Sequence, residues 1–195
     1  MQTPSSPDST IHDGKWLSFR TRSFRDREGT ERVWEFVTRT NTDGAVLVIP
    51  IIPGPEPVLV LVKQFRPALA TSILEFPAGG LNAGEAPEAC ALRELFEETG
   101  CRGRVIGVGP RGYSTPGMTD EYVIPVTVHV ESIAEHQPEI EEHIEVMQIP
   151  LRGLREALDA LAAGGLLIDG KLWFFACGLD FAAVPSTLLT GAVQP

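Results

Sequence analysis

The stretch from Gly79 to Cys101 reads GGLNAGEAPEACALRELFEETGC and contains five glutamates and one arginine. Pro87 suits the first turn of a helix, where the backbone N–H that proline lacks would have no partner. Thr99-Gly100 suits its end, because glycine readily takes the left-handed conformation. Between these limits four apolar residues recur at helical spacing: Ala89, Leu92, Leu95 and Phe96. The stretch therefore predicts a helix over 87–99 that buries one apolar face.

Three of the glutamates are spaced to lie on one side of this helix. Glu94 and Glu98 are four residues apart, and Glu97 is three from Glu94, so the carboxylates project one turn apart. Like charges at this spacing destabilise a helix, whereas a hard divalent cation would reverse the sign of the interaction. The pattern indicates either a solvated acidic face or a site for Mg²⁺ or Mn²⁺ that also binds substrate phosphates.

Composition limits the classes of function. The chain has 195 residues, a hydrophobic fraction of 43% and a formal net charge of −10. A charge of this sign argues against nucleic acid and membrane surfaces as partners. No apolar run of the sequence is long enough to span a bilayer, and the first ten residues lack the features of a signal peptide. Three scattered cysteines are expected to be free thiols, so we expect a cytoplasmic protein.

Four segments follow from the pattern of the chain. Residues 1–13 are polar and rich in Pro and Ser, which predicts a disordered tail. Residues 14–40 predict a β-hairpin with strands over 16–24 and 31–39. Residues 41–184 form the main predicted domain, and 185–195 a loose C-terminal tail.

The main domain alternates predicted strands and helices. Continuous apolar runs at 45–52 and 58–64 predict strands covered on both faces. Further strands are expected at 73–76, 104–108, 122–130 and 144–149, and further helices at 151–163 and 171–181. This order predicts an α/β fold with two helix layers around a mixed sheet. A GxGxxG match at Gly107 is discounted, because Pro110 and the following YSTPG cannot open the helix that a dinucleotide fingerprint needs.

The spacing of the acidic stretch resembles the signature of the Nudix hydrolases at every defined position. It reads Gly79, five residues, Glu85, seven residues, Arg93-Glu94-Leu95, one residue, Glu97-Glu98, one residue, and Gly100-Cys101. Other segments look like the ADP-ribose pyrophosphatase branch of that family: LVKQFRP from Leu61, LEFPAGG from Leu74, Pro116-Gly117, and the spaced Trp16, Trp34 and Arg39. The similarity covers roughly residues 14 to 180.

This resemblance implies a fold and an activity. The fold would be an α/β/α sandwich with a mixed sheet and an N-terminal β-hairpin. The protein would be a homodimer in which the hairpin packs on the partner subunit and helps to build its active site. The reaction would be Mg²⁺-dependent hydrolysis of ADP-ribose to AMP and ribose 5-phosphate, with Mn²⁺ as a possible alternative cation. Two other hypotheses stay open: another nucleoside diphosphate sugar, such as GDP-mannose, and a non-catalytic Nudix-fold ligand sensor.

The resemblance also implies roles for the carboxylates. Glu94 and Glu98 would be the main metal ligands, Glu97 would add to the cluster, and the backbone carbonyl of Ala78 would complete it. Arg93 would orient the glutamates. The general base that acts on water would be Glu142, with Glu139 and Glu141 as close competitors.

The substrate would contact a further set of residues. Trp16 and Trp34 would sandwich the adenine, one from each subunit, although aromatic residues on strands are more often core or interface. Glu35, Arg39 and Arg66 would contact the nucleotide or its phosphates. Glu75 would be an extra metal ligand, or would simply pair with Arg66.

Overall fold

The computed structural model describes residues 4–42, 44–134 and 144–183, the last three of them by backbone alone. A small antiparallel sheet opens the chain, with strands β1 (Ser9–Asp13), β2 (Leu17–Arg25) and β3 (Glu31–Arg39) in that order. Gly29 in the turn between β2 and β3 has φ 82°, a left-handed conformation that favours glycine. The Asp26 side chain accepts hydrogen bonds from two backbone N–H groups of the same turn.

Strand β1 lies within the segment that the sequence predicts to be disordered, residues 1–13. All of its residues are exposed, so it carries no hydrophobic pattern that could reveal it. Backbone pairing with β2 holds it, with Ser9 opposite Thr21 and Asp13 opposite Ser18. An ion pair of 2.7 Å between Asp8 and Arg22 adds to this pairing. The predicted hairpin is therefore part of a three-stranded sheet.

The rest of the chain forms a mixed sheet and three helices. The strands are β4 (Gly44–Ile52), β5 (Val58–Arg66), β6 (Thr71–Glu75), β7 (Ala78–Gly80), β8 (Cys101–Val108), β9 (Tyr122–Ile133), β10 (Ile144–Pro150) and β11 (Leu167–Ile168). The helices are α1 (Pro87–Thr99), α2 (Leu154–Ala163) and α3 (Gly170–Ala183). The main order is β11-β6-β5-β4-β9-β8, with β10 also paired to β5 and β7 to β4. No helix in the described ranges is both long and apolar enough to cross a bilayer.

Helices cover both faces of this sheet. On β4, Val46 and Val48 point into a core closed by α1, whereas Leu47 between them points into a second core closed by α2 and α3. The pairs β4–β9 and β6–β11 are parallel and the remaining pairs are antiparallel, so the sheet is mixed. The α/β/α sandwich that the sequence predicts is confirmed.

Helix α1 has the predicted limits, but the face that it buries is rotated about the helix axis relative to the predicted one. The residues that it buries are Cys90, Ala91, Leu95, Glu98 and Thr99, whereas Ala89 is exposed. The cause is β7, which packs against the helix: the Cys90 thiol donates to the Gly80 carbonyl, with 3.4 Å between sulfur and oxygen. The predicted apolar stripe was therefore wrong at Ala89.

Candidate active site

Arg93 of α1 contacts three carboxylates, two from the helix and one from the segment before it. Its Nε and Nη2 donate to the two carboxylate oxygens of Glu85, each at 3.0 Å. Its Nη1 donates to Glu94 at 2.7 Å and to Glu97 at 3.0 Å. These contacts raise the pKa of Arg93, and the hydrogen bond from Arg93 is the main cause that lowers the pKa of Glu85 to about 2. The guanidinium thus fixes the positions of charges that would otherwise repel one another.

Strand β7 presents bare backbone to these carboxylates. A Cβ placed on Gly79 would lie 1.9 Å from the Glu94 carboxylate, so no larger residue fits without displacing that side chain. Glu98 is only 6% exposed, and its Oε2 accepts a hydrogen bond of 3.1 Å from the Ala78 N–H. The backbone of β7 therefore lies against Glu98 at Ala78 and against Glu94 at Gly79.

The donor chemistry at this place fits a hard divalent cation, which prefers carboxylate and carbonyl oxygens. Across residues 4–42, 44–134 and 144–183, however, no three His, Cys, Asp or Glu side chains are already gathered as a metal site. Arg93 contacts Glu94 and Glu97, and Ala78 engages Glu98, so their carboxylates would have to reorient around a cation. The metal-binding roles of these residues stay predictions.

A polar cleft of about 380 Å³ opens in front of β7. Its walls include Ala78, Gly79, Arg39, Arg66 and Glu75, so the cleft brings together residues from distant parts of the chain. Their roles in binding substrate stay predictions. Glu75 is buried and accepts from Arg66 through both oxygens, at 2.8 and 3.0 Å. Of the two hypotheses for Glu75, the structure thus shows the pairing with Arg66.

Two charged residues of this cleft escaped the sequence analysis. Glu121 pairs with Arg39, and Lys171 lines the wall opposite, at the start of α3. Lys171 Nζ lies 2.7 Å from Asp169, whose other oxygen accepts from the Lys171 backbone N–H. In the sequence Lys171 reads only as the start of a helix, and Glu121 only as the residue before a strand. No local signal marks either residue, because Lys171 reaches the cleft through the packing of α3 and Glu121 through its pairing with Arg39 of β3.

The two predicted base-stacking residues do not meet within one chain. Trp16 is 56% and Trp34 is 52% exposed. The Trp16 carbonyl accepts a hydrogen bond from the Thr40 N–H, so Trp16 lies level with Thr40, just beyond the end of β3. Thr40 is six residues beyond Trp34, which places the two tryptophans roughly 20 Å apart along the strand. Trp34 lines a different cavity, of about 670 Å³, and its Nε1 donates to the Gly117 carbonyl. Glu35 is exposed and points to the opposite face of β3.

The predicted general base, Glu142, lies outside the described residues, as do its competitors Glu139 and Glu141. Strand β10 begins at Ile144, which pairs with Gln64 on β5. Gln64 is two residues before Arg66, so β10 begins close to Arg66 in the wall of the cleft.

Comparison with known proteins identifies the family of this fold and site. The NUDIX domain model matches residues 41–164. An ADP-sugar pyrophosphatase of Mus musculus is 36% identical over 200 residues, which cover 92% of each chain. An ADP-ribose pyrophosphatase of Saccharomyces cerevisiae is 31% identical over 87% of this chain and 79% of its own. The crystal structure of an ADP compounds hydrolase has the same fold, with a TM-score of 0.67 at 20% identity over 81% of this chain and 83% of that one.

Proposed function

This chain belongs to the NUDIX domain family, and from that premise we propose that it hydrolyses the pyrophosphate bond of ADP-ribose and related ADP-sugars. The products would be AMP and a sugar phosphate. The observation that carries the proposal is the junction of α1 with β7, where Arg93 holds Glu94 and Glu97 beside the bare backbone of Gly79. The names of the two sequence relatives favour the ADP-sugar substrate.

We assign the binding of the diphosphate to the cations of the polar cleft. Arg39, Arg66 and Lys171 all line it, and an arginine fork matches phosphate geometry. Each of the three is paired with a carboxylate, from Glu121, Glu75 and Asp169 respectively. These pairs keep the long side chains in place before substrate arrives. They also keep the cleft from being strongly positive, so substrate anions have to be neutralised by further cations.

NUDIX hydrolases need divalent metal ions, and we propose Mg²⁺ for this chain. Glu94, Glu97, Glu98 and the Ala78 carbonyl would hold it. Such an ion, when bound, polarises a phosphoryl oxygen and lowers the pKa of water. Arg93 positions Glu94 and Glu97 from the side, and Glu85 in turn holds Arg93. Arg93 is thus a positioning residue, whereas the carboxylates of α1 act directly.

We propose that Glu142 accepts the proton of the attacking water. A general base has to reach that water within hydrogen-bond distance. The strand that follows this acidic segment pairs with β5 two residues from Arg66, next to the cleft. Glutamine variants at 139, 141 and 142 should separate the three candidates. Only the substitution that removes the general base should lower kcat strongly while leaving KM nearly unchanged.

We propose a homodimer in which Trp16 and Trp34 of different subunits enclose the adenine. Their separation within one chain supports this arrangement, since one base spans far less than about 20 Å. The small sheet also exposes Ile11, Leu17 and Val33, an amount of apolar surface that suits an interface. The reducing cytoplasm is the compartment that we propose, given the unpaired thiols of all three cysteines.

A product assay tests the proposed function. Purified protein is incubated with ADP-ribose, GDP-mannose or UDP-glucose, with Mg²⁺ or with EDTA. We expect AMP from ADP-ribose with Mg²⁺ and no product with EDTA. Faster turnover of GDP-mannose would refute the ADP-sugar specificity while leaving the chemistry intact. If ADP-ribose binds but is never cleaved, the chain is a ligand sensor instead.

A further inference from the structure

We propose that the side-chain hydroxyl of Thr42 is a positioning group for catalysis, because it holds the end of strand β7 against the carboxylates of α1. The inference rests on the proposed function, since its effect on the rate presupposes that the α1–β7 junction takes part in hydrolysis. Thr42 lies between the N-terminal sheet and β4, far from the Gly79–Cys101 stretch in sequence. It lines the polar cleft on one side and a second polar cavity, of about 390 Å³, on the other.

Strand β7 has few means of its own to stay in place. It consists of Ala78, Gly79 and Gly80, and the two glycines carry no side chain that could pack. Glycine also loses more conformational freedom than any other residue when its backbone is ordered. The strand pairs with β4 along one edge, where Gly80 lies opposite Ala45. Contacts at the end of β7 therefore matter for how firmly it is held.

The Thr42 hydroxyl joins two backbone segments directly beyond the end of β7. Its oxygen lies 2.7 Å from the Gly44 carbonyl and 3.0 Å from the Leu81 carbonyl, so its single proton is shared between these two acceptors. The Leu81 N–H in turn donates to the Gly44 carbonyl at 3.1 Å. The Thr42 methyl group lies over Gly80, 3.3 Å from where a Cβ on that glycine would be. Both parts of the side chain thus contact the point where the chain leaves β7.

The segment after Leu81 connects this point to the carboxylates. The Asn82 N–H donates to the Glu85 side chain at 3.0 Å, and the Glu85 N–H donates to the Asn82 carbonyl at the same distance. Glu85 then accepts from Arg93 through both of its oxygens. Arg93 in turn donates to Glu94. A shift at Leu81 would therefore move Glu85 and, through it, Arg93.

Strand β7 also contacts the same group of side chains directly. The Gly80 carbonyl accepts from Arg93 at 3.3 Å, and the Ala78 N–H donates to Glu98 at 3.1 Å. A displaced β7 would change both contacts. Because a misplacement of about 1 Å can cost a hundredfold in rate, a residue that fixes β7 contributes to catalysis through these groups.

A simpler role for Thr42 would be to stabilise the turn before β4. Its hydroxyl also accepts a hydrogen bond of 3.3 Å from the Gly44 N–H, two residues further on, and threonine often makes such a bond in turns. The contact with Leu81, however, joins residues that are 39 positions apart in the chain. A turn does not need that contact, so it favours the positioning role.

The test compares Thr42→Val with Thr42→Ser in the full chain. Valine keeps the shape of the side chain and removes the hydroxyl, whereas serine keeps the hydroxyl. Thr42→Val should lower kcat for ADP-ribose with Mg²⁺ about tenfold and change KM less than about twofold, and Thr42→Ser should restore most of kcat. Thr127→Val is the control, because Thr127 lies on β9 and does not line the cleft.

Amide hydrogen exchange of the metal-free protein gives a readout that does not depend on catalysis. Loss of the hydroxyl should speed exchange of the Leu81 N–H about tenfold, because the end of β7 opens more often. Exchange of the Leu95 N–H, on the buried side of α1, should stay at the wild-type rate. Thr42→Ala is measured beside Thr42→Val, so that a poor fit of valine is not mistaken for the loss of the hydroxyl.

The outcomes separate this inference from the proposed function. If the wild type cleaves ADP-ribose and Thr42→Val matches it in kcat, Thr42 only stabilises the turn and the inference is wrong. If Thr42→Val raises KM alone, Thr42 contacts the substrate, which also contradicts the inference. If the wild type cleaves no ADP-ribose, the proposed function fails, while the exchange of Leu81 still decides whether the hydroxyl holds β7.

Discussion

The α1–β7 junction and the N-terminal sheet are built in opposite ways. At the junction, Arg93, Glu85 and Glu94 contact one another within a single stretch of chain, and the carboxylate of Glu98 is buried against β7. The N-terminal sheet instead leaves Trp34 about half exposed, as is Trp16 just before β2, and it contacts the main domain through the segment 117–121. In these contacts the Val37 N–H donates a hydrogen bond of 2.8 Å to the Met118 carbonyl, and Arg39 forms an ion pair with Glu121.

This difference indicates which part of the site one chain can complete. The junction draws its carboxylates and its bare backbone from one chain, so a single subunit contains all the groups that the proposed cation site would use. The N-terminal sheet leaves Trp34 about half exposed, and Trp16 just before β2 likewise. We infer that hydrolysis is organised within one subunit, whereas recognition of the base needs two.

The largest effect is expected at the junction. Glu98→Gln should lower kcat for ADP-ribose about a thousandfold, because losing a charged metal ligand costs several kcal/mol and each 1.4 kcal/mol is tenfold. Glutamine keeps an oxygen that can accept from the Ala78 N–H, so the melting temperature should change little. Glu88→Gln, at an exposed position of the same helix, is the control and should be fully active. Equal activity of both variants would contradict the role of Glu98.

A smaller effect is expected from the backbone of β7. Gly79→Ala should lower kcat about a hundredfold, because its Cβ would displace the Glu94 carboxylate, which lies 1.9 Å away. Gly54→Ala is the matched control, since its new Cβ would meet nothing closer than a carbonyl oxygen at 3.9 Å. Kinetics with ADP-ribose, together with thermal melting, would measure both. An active Gly79→Ala enzyme would show that the position of Glu94 is not critical.

A moderate effect is expected in the cleft that joins the two regions. Lys171→Met should raise KM for ADP-ribose about tenfold, the value of one charge-assisted hydrogen bond to phosphate. Lys63→Met removes an ammonium group that pairs with Glu145 and does not line the cleft, so its KM should stay at the wild-type value. Equal KM values for the two variants would exclude Lys171 from substrate binding.

The smallest effect concerns the stability of the junction and its pH dependence. The pKa of Glu85 falls from 4.5 to about 2, first through its hydrogen bond from Arg93 and then through the Asn82 N–H. A carboxyl with a lowered folded-state pKa stabilises the protein above pH 4.5, and this contribution is lost as pH falls toward about 2. Glu85→Gln should therefore lower the free energy of unfolding by about 1 kcal/mol at pH 7, since the pair is partly exposed.

Urea unfolding at pH 7, 5 and 3 would measure this dependence. The difference between wild type and Glu85→Gln should be constant from pH 7 to 5 and shrink at pH 3. A difference that grows on acidification would contradict the assigned direction of the shift. Glu88→Gln again serves as the control, because Glu88 is exposed on the same helix.

The junction could be predicted from sequence because its members lie close together in the chain. Proline and glycine mark both ends of α1, and the spacing from Gly79 to Glu98 predicts which side chains meet. The sequence alone does not show why a side chain at position 79 would clash, because the clash depends on how β7 packs against Glu94. Even here, the sequence misassigned Ala89 to the buried face.

Other features depend on contacts that no local pattern encodes. Strand β1 has no apolar alternation and forms because its backbone pairs with β2. Lys171 becomes a cleft residue because α3 packs beside strands that lie more than a hundred residues earlier in the chain. An apolar cavity of about 320 Å³ likewise brings together Tyr113 and Phe174 from separate segments. Such features require the tertiary structure.

The most direct test of the account is a subunit-mixing experiment on the two tryptophans. Trp16→Ala and Trp34→Ala should each lower kcat/KM for ADP-ribose at least about tenfold, the value of one stacked base. The two variants are then co-expressed with different tags, and the heterodimer is isolated through both. If each site takes one tryptophan from each subunit, one of its two sites keeps both, and about half of the wild-type activity should return. A heterodimer as weak as either parent, or tags that fail to copurify, would contradict a base site shared between subunits.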